Sequence, residues 1–394
     1  MAADTYRFPG EHNTETGSEE SRLSDRTEET RVGRGRMDLP FLFMTLIILA
    51  IGMIMVLSAS FARAYYETGN ATQVFVRQSL FSIFGVAAML LVSRFRVKIF
   101  RRFSIAALVA AAILLLFVLV IGIESGGARR WIDIGISTFQ PSEIAKLGII
   151  LAFARMSCIY KEKMKTFRYG VLPFLGIMAI ILGLLILEPH LSACVIIVLV
   201  GAIMMFVGGT RVFWFVLVAV IAVAAGFILV KLFDYAAARI AIWKDPFIDK
   251  RGDGWQIVQS LYAVGSGGLL GLGLGQGRQK YLYLPEEHND FIFSVVCEEL
   301  GFIGASLILI LFAILIIRGF WIAMHARDRY GSMIVTGLTS LLAIQVFLNV
   351  AVVTNLIPST GISLPFFSYG GTALVLQLAE MGIILSVSRD IEAK

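Results

Sequence analysis

Pro40-Phe41-Leu42-Phe43-Met44-Thr45-Leu46-Ile47-Ile48-Leu49-Ala50-Ile51-Gly52-Met53-Ile54-Met55-Val56-Leu57-Ser58-Ala59-Ser60 carries no charged side chain from end to end. A helix rises about 1.5 Å per residue, so about 20 such residues match the roughly 30 Å hydrocarbon layer of a bilayer. Similar runs recur at Val76–Val92, Phe103–Ile123, Pro141–Ser157, Gly170–Leu187, Leu191–Val207, Val212–Leu232, Phe291–Phe320, Ser332–Ile357 and Leu364–Val387. The expected fold is therefore an all-α polytopic membrane protein of about ten transmembrane helices, with a large loop, 233–290, between helices 7 and 8. Composition agrees: mean hydropathy is +0.82 and only 16% of residues are charged, against about 25% in soluble domains.

Basic residues set the expected orientation. Arg94, Arg96, Lys98, Arg101 and Arg102 crowd one connection, and Arg155, Lys161, Lys163, Lys165 and Arg168 crowd another. Arg211, Arg318, Arg327, Arg329, Arg389 and Lys394 lie on the same side, as do Arg31, Arg34 and Arg36 before the first span. The opposite short loops hold little beyond Arg63, Arg129 and Arg130. Under the positive-inside rule both termini are cytoplasmic and loop 233–290 is external. The net charge of +6 reflects this bias and implies no nucleic-acid partner.

Residues 1–36, rich in Glu, Thr, Ser and Arg, read as a disordered cytoplasmic tail. Residues 37–390 read as a single transmembrane domain. No cleavable signal precedes the first span, which would serve as its own anchor. Cys158, Cys194 and Cys297 are too scattered for a disulfide framework or metal knuckle. No internal repeat is visible, which weighs against an inverted-repeat transporter.

The chemistry gathers in three places. Leu284-Pro285-Glu286-Glu287-His288-Asn289-Asp290 runs straight into the apolar Phe291-Ile292-Phe293, so Asp290 stands where the chain re-enters hydrocarbon. An ionised carboxylate there is costly unless solvated, paired or used. Upstream, glycines 265–277 let backbone approach a ligand or another helix closely, in a bent re-entrant or interfacial segment. Arg278 and Lys280 follow, either snorkelling at the interface or orienting phosphate oxygens. In Gln140-Pro141-Ser142-Glu143-Ile144-Ala145-Lys146, Pro141 suits a first helical turn and Glu143 and Lys146 are close enough to pair. Arg129-Arg130-Trp131 would add positive charge at the same mouth. Glu286, His288 and Asp290 form a weak metal signal, while His190 reads as a polar loop residue. Glu298 and Glu299, inside a span, read as helix-orienting groups.

Taken in order, Gly126-Gly127-Ala128-Arg129-Arg130-Trp131-Ile132, Gln140-Pro141-Ser142-Glu143, residues 256–275, Leu284-Pro285-Glu286 to Phe293, Glu298-Glu299-Leu300-Gly301-Phe302-Ile303-Gly304 and Leu364-Pro365-Phe366-Phe367-Ser368-Tyr369-Gly370-Gly371 resemble the SEDS family (shape, elongation, division and sporulation) over about residues 38–389. The stretch Gly275–Glu286 looks closer to division-type FtsW and sporulation-type SpoVE members than to RodA. The resemblance implies a ten-span peptidoglycan glycosyltransferase that polymerises lipid II at the outer face during cell division. It also implies a class B penicillin-binding protein as transpeptidase partner, alongside other division proteins. Asp290 matches the family's essential external Asp, Glu143 and Lys146 its intramembrane acid and base, and Arg130-Trp131 its Arg-Trp pair. Gln259, Arg278, Lys280 and His288 complete the candidate substrate contacts. A divalent cation, Mg²⁺ or Mn²⁺, is compatible with the chemistry, with no site assigned. The chain departs from the family's Gln-Pro-Asp-Leu-Gly-Thr element, reading Glu188-Pro189-His190-Leu191-Ser192-Ala193. Competing readings are a lipid II flippase and a non-catalytic division scaffold.

Overall fold

A computed structural model of the chain describes residues 35–391 apart from 126, 127, 134, 136, 221–240, 251 and 253. The tail expected at 1–36 lies outside the described residues except for its last two, as do residues 221–232 of the expected Val212–Leu232 span.

Helix α1, Leu39–Thr68, starts where Asp38 accepts a hydrogen bond from Phe41 N, with Pro40 in the first turn, a favourable pairing of cap and N1 proline. Helices α2, Gln73–Val92, and α3, Val97–Ile121, follow. Three short antiparallel strands come next: β1 Ile123–Ser125, β2 Ala128–Asp133 and β3 Thr138–Phe139, in the order β1-β2-β3. Helix α4, Pro141–Tyr160, opens with the expected proline. After a turn at Phe167–Gly170 come α5, Leu172–Leu187, α6, Leu191–Gly208, and α7, helical over 212–220. Then follow α8, Trp255–Gly267, α9, Ile292–Met324, α10, Arg329–Val353, and α11, Gly371–Ser388.

Among the described residues eight helical stretches are long and apolar enough to cross a membrane: α1, α2, α3, Phe167–Leu187, α6, α9, α10 and α11. Helix α4 is comparable in length but carries Glu143, Lys146 and Arg155, and it is buried by its neighbours on nearly every face. A helix enclosed by protein does not need to be apolar throughout, because its polar groups meet protein partners instead of lipid. Helix α10 is likewise enclosed, whereas α1, α2, α3 and α9 expose Phe43, Phe84, Leu116 and Ile310, as lipid-facing helices do. Where α2 and α11 cross, a Cβ on Gly382 would stand 2.5 Å from Met89 O, so only a small residue permits that approach.

Two elements depart from the sequence expectation. The 123–139 connection forms a small sheet, and the loop 233–290 contains helix α8. The signal for α8 is Ile257, Val258 and Ala263 on its buried side with Tyr262 outside, a helical period inside a segment whose glycines suggest a loop.

The glycine series has a structural purpose. Helix α9 breaks at Gly301, φ 67° and ψ −171°, which frees backbone groups on both sides. The chain from 268 to 273 takes them up: Leu272 N donates to Glu298 O and Gly273 N to Glu299 O, both at 3.0 Å, while Phe302 N and Ile303 N donate to Gly268 O and Leu269 O. Irregular backbone at membrane depth is tolerated when its polar groups are satisfied in this way. Gly271 sits at φ +79°, and a Cβ there would lie 2.2 Å from Glu299 O.

Next to the break, Lys280 Nζ lies 2.7 Å from Glu299 Oε1 and 3.1 Å from Ser58 Oγ. Both charged side chains are almost wholly buried. Removing one partner of such a pair leaves an uncompensated buried charge and typically costs about 3–5 kcal/mol. Glu299→Gln is thus expected to lower the thermal unfolding midpoint of the purified protein markedly; an unchanged midpoint would show that the pair contributes nothing to the fold.

Candidate functional site

Asp290 lies at the end of the bundle opposite residues 35–39, in the turn that leads into α9, and neighbouring elements hold its backbone. Asn349 of α10, fully buried, donates through Nδ2 to Asp290 O and to Ile362 O, both at 2.7 Å. Ser368 Oγ donates to Asn289 O at 2.8 Å, and Tyr369 N donates to His288 O at 2.8 Å. The connection 355–370 is thus tied to the turn by two direct hydrogen bonds and bridged to it by Asn349, and Gly361 lies against the carboxylate: a Cβ there would come within 3.2 Å of Asp290 Oδ2.

The acids of this turn differ in their commitments. Glu286 accepts from Asn289 Nδ2. Glu287, fully buried, pairs with Arg63 Nε of α1 at 2.7 Å. Among the described residues the Asp290 carboxylate makes no ion pair or hydrogen bond. Burial pushes it up to about 6, aided by the negative charge of Glu286 and opposed by the positive charge of Arg130. It is therefore ionised at neutral pH yet more basic than an ordinary aspartate.

A second group faces the same end. Lys146 Nζ and Glu143 Oε2 are 2.7 Å apart on α4, with Lys146 buried and Glu143 one-fifth exposed, so the expected pairing holds. Arg130, on β2, acts electrostatically on both Asp290 and His190, and Lys146 acts on both His190 and Glu380 of α11. The strands place Arg130 there, since Trp131 pairs with Ile123 across β1 and Ile132 with Phe139 across β3. Thr372 Oγ1 donates to Thr138 O at 2.8 Å, tying this sheet to α11.

The remaining sequence candidates separate from this cluster. Lys280 is held by Glu299 and Ser58, so its ammonium is already neutralised, by an acid nine residues beyond Asp290 in the sequence. Arg278 is committed through its backbone N to Glu298 Oε1 at 2.8 Å, while the residue as a whole is exposed. Glu298 and Glu299, read as helix-orienting groups, instead hold the 275–279 loop, both receiving its backbone N–H groups. Gln259 is buried in α8, beside Ser260, whose hydroxyl bonds Val353 O at 2.7 Å and Ser294 Oγ at 2.8 Å. His288 stands 3.6 Å from Glu287 Oε1 and packs on Tyr369 at 5.7 Å between ring centroids. Glu286, His288 and Asp290 do not form a cation cage: Glu286 faces Asn289, His288 faces Glu287, and Asp290 faces Gly361. Among the described residues no group of three or more His, Cys, Asp or Glu side chains is disposed to hold a metal ion.

Two buried groups near this cluster were not marked by the sequence. His190 is buried, with Nε2 3.3 Å from Gln140 Nε2, and its short loop gave no hint of that depth. Glu380 is equally enclosed, and only its place as the one acid in an apolar run, Gly371–Ser388, could have marked it. Glu188, buried just before α6, is pushed up to about 7 by desolvation.

The cluster thus combines an unpaired carboxylate with two cations at one polar end of a membrane bundle. Such an arrangement can accept a proton from a hydroxyl and neutralise an anionic leaving group.

Comparison with known proteins gives consistent results. The family model described as "Cell cycle protein", for FtsW, RodA and SpoVE, matches residues 38–393. Stage V sporulation protein E of Bacillus subtilis is 43% identical, over 89% of this chain and 97% of its own. A probable peptidoglycan glycosyltransferase FtsW of Geobacter metallireducens is 38% identical, over 90% of this chain and 95% of its own. Among solved structures, a chain of a peptidoglycan synthase complex that coordinates polymerization and crosslinking superposes with a TM-score of 0.76 at 27% identity, covering 91% of this chain and 99% of that one. The rod shape determining protein RodA of Thermus thermophilus superposes with a TM-score of 0.68 at 28% identity, covering 91% and 98%.

Proposed function

Because this chain belongs to the FtsW, RodA and SpoVE family of cell cycle proteins, we propose that it is a peptidoglycan glycosyltransferase that polymerises lipid II in the bacterial cytoplasmic membrane. The site end faces outward and both termini face the cytoplasm, as the distribution of Lys and Arg favours. The observation that carries the reading is the unpaired Asp290 carboxylate, more basic than usual, beside Arg130.

In this mechanism Asp290 removes the proton from the sugar 4-hydroxyl of an acceptor lipid II as that oxygen attacks the anomeric carbon of the donor. The new C–O bond forms as the bond from the anomeric carbon to the donor's diphosphate breaks, and the undecaprenyl diphosphate leaves with the electron pair. A positioned carboxylate base contributes typically 10²–10⁴-fold. Arg130 and Lys146 stabilise the charge that develops on the departing diphosphate. Direct displacement converts an α-linked donor into a β-linked product. The Glu143 carboxylate holds the Lys146 ammonium in place through the bond already described.

A class B penicillin-binding protein is the proposed partner, supported by the likeness to a chain of a synthase complex that couples polymerization to crosslinking. Septal synthesis during division is the proposed setting, supported by the FtsW relatives.

The test is to reconstitute the purified protein with its partner in vesicles carrying labelled lipid II. Glycan polymer is the expected product. Lipid moved to the opposite leaflet without polymer would identify a flippase instead, and neither outcome would identify a scaffold.

A further inference from the structure

His190 is the N-cap residue of α6, and its backbone is fully engaged: its N–H donates to Leu185 O at 2.9 Å and its carbonyl accepts from Cys194 N at 3.3 Å. The residue is only 6% exposed. Nε2 lies 3.3 Å from Gln140 Nε2. With the Gln140 amide turned so that Nε2 donates, His190 Nε2 is the acceptor and the ring proton resides on Nδ1. That Nδ1 has no hydrogen-bond partner among the described residues.

Protonating the ring would not relieve the orphan donor, and the surroundings oppose it in any case. Burial together with the positive charges of Arg130 and Lys146 pushes the imidazole down to about 3. The ring is a neutral group with a buried N–H that meets no acceptor among the described residues. Leaving such a donor unsatisfied costs free energy, and buried orphans in a folded protein usually signal an absent ligand or water.

The orphan is not isolated. Arg130, whose charge acts on His190, has its Nε buried without a partner among the described residues, and the same holds of Ser142 Oγ, two residues beyond Gln140 in the first turn of α4. Arg130 Nε–H and His190 Nδ1–H can only donate and Ser142 Oγ–H can donate as well, with the Lys146 ammonium close by. A ligand that satisfied all of them would present acceptor oxygens and negative charge, which is the chemistry of a phosphoryl group.

We propose that His190 is a binding residue whose Nδ1–H donates to a phosphoryl oxygen of the lipid-linked diphosphate, with Arg130 acting on the same group. The inference rests on the reading of this chain as acting on such a diphosphate. It assigns a role to a residue that sequence reasoning set aside. A neutral donor at this point adds directionality without adding a third positive charge that would hold the product diphosphate too tightly.

The test uses the purified full chain and farnesyl diphosphate as probe, with the N-acetylglucosaminyl-N-acetylmuramic disaccharide as a second ligand. In His190→Asn the side-chain amide occupies the place of Nδ1 and keeps a donor; in His190→Gln it reaches the place of Nε2; His190→Phe keeps only the ring. His190→Asn should bind the diphosphate within about threefold of wild type, whereas His190→Gln and His190→Phe should bind it about tenfold or more weakly. Thermal unfolding midpoints of the three variants check that each is folded. Equal diphosphate affinity in all variants would overturn the proposal. So would an effect confined to the disaccharide, or a folded His190→Asn as weak as His190→Phe. A wild-type protein that binds the diphosphate but makes no polymer from lipid II would sink the proposed reaction while leaving this donor assignment standing.

Discussion

Asp290→Asn is expected to reduce polymer formation from lipid II at least about 100-fold while the protein still inserts and folds. The substitution preserves size and removes basicity. It should not weaken the fold, as the direction of the Asp290 shift shows. The folded carboxyl titrates above its ordinary value, at about 6, so between about pH 4 and 6 the folded chain binds more protons than the unfolded one. Stability from this group is present at low pH and is lost as pH rises through that window. At neutral pH the native state carries the cost of a poorly solvated charge, and the neutral amide removes it. Asp290→Asn should therefore unfold at the same temperature as wild type or higher, with its loss confined to turnover. Near-normal polymer from a folded Asp290→Asn protein would eliminate this residue as the base.

The second large effect concerns Lys146. Lys146→Met keeps the length and apolar stem of the side chain and removes the cation, leaving Glu143 unpaired at one-fifth exposure. Turnover should fall about 10²–10³-fold, the usual loss when one group that stabilises developing negative charge is removed. Stability should fall as well, because half of an ion pair remains. The double variant Glu143→Gln with Lys146→Met separates the two effects. Replacing both charges should restore much of the thermal stability, and if Lys146 serves the leaving diphosphate, turnover should stay low. Recovery of polymer formation in the double variant would mean that Lys146 only neutralises Glu143.

Much of this arrangement is legible in the sequence, for identifiable reasons. Charge-free runs such as Pro40–Ser60 specify spans because lipid leaves the backbone no alternative to helix. The Gln140–Lys146 stretch specifies its own ion pair, since helical spacing alone brings Glu143 and Lys146 together. Asp290 is conspicuous because a charge at a membrane entrance calls for a reason. What escaped depends on contacts distant in sequence. Lys280 looks like a phosphate ligand until α1 supplies Ser58 and α9 supplies Glu299. Glu287, adjacent in kind to Asp290, is silenced by Arg63, more than two hundred residues earlier. The glycine run leaves open whether its backbone approaches a ligand or another helix, and packing decides for the broken α9. His190 seems an ordinary loop residue because nothing local indicates that Gln140, Arg130 and Lys146 surround it. Local spacing reveals local pairs, and only tertiary packing tells which charged groups are already spent.

The claim that Asp290 is a carboxylate base is tested most directly by the pH dependence of kcat/KM for lipid II polymerisation. In the wild-type protein the rate should fall about tenfold per pH unit below an apparent pKa of about 6, the value at which the free carboxyl loses its basic form. The residual rate of Asp290→Asn should be flat across the same range. A flat wild-type profile, or an acid limb that persists unchanged in Asp290→Asn, would assign the base to another group and contradict the account.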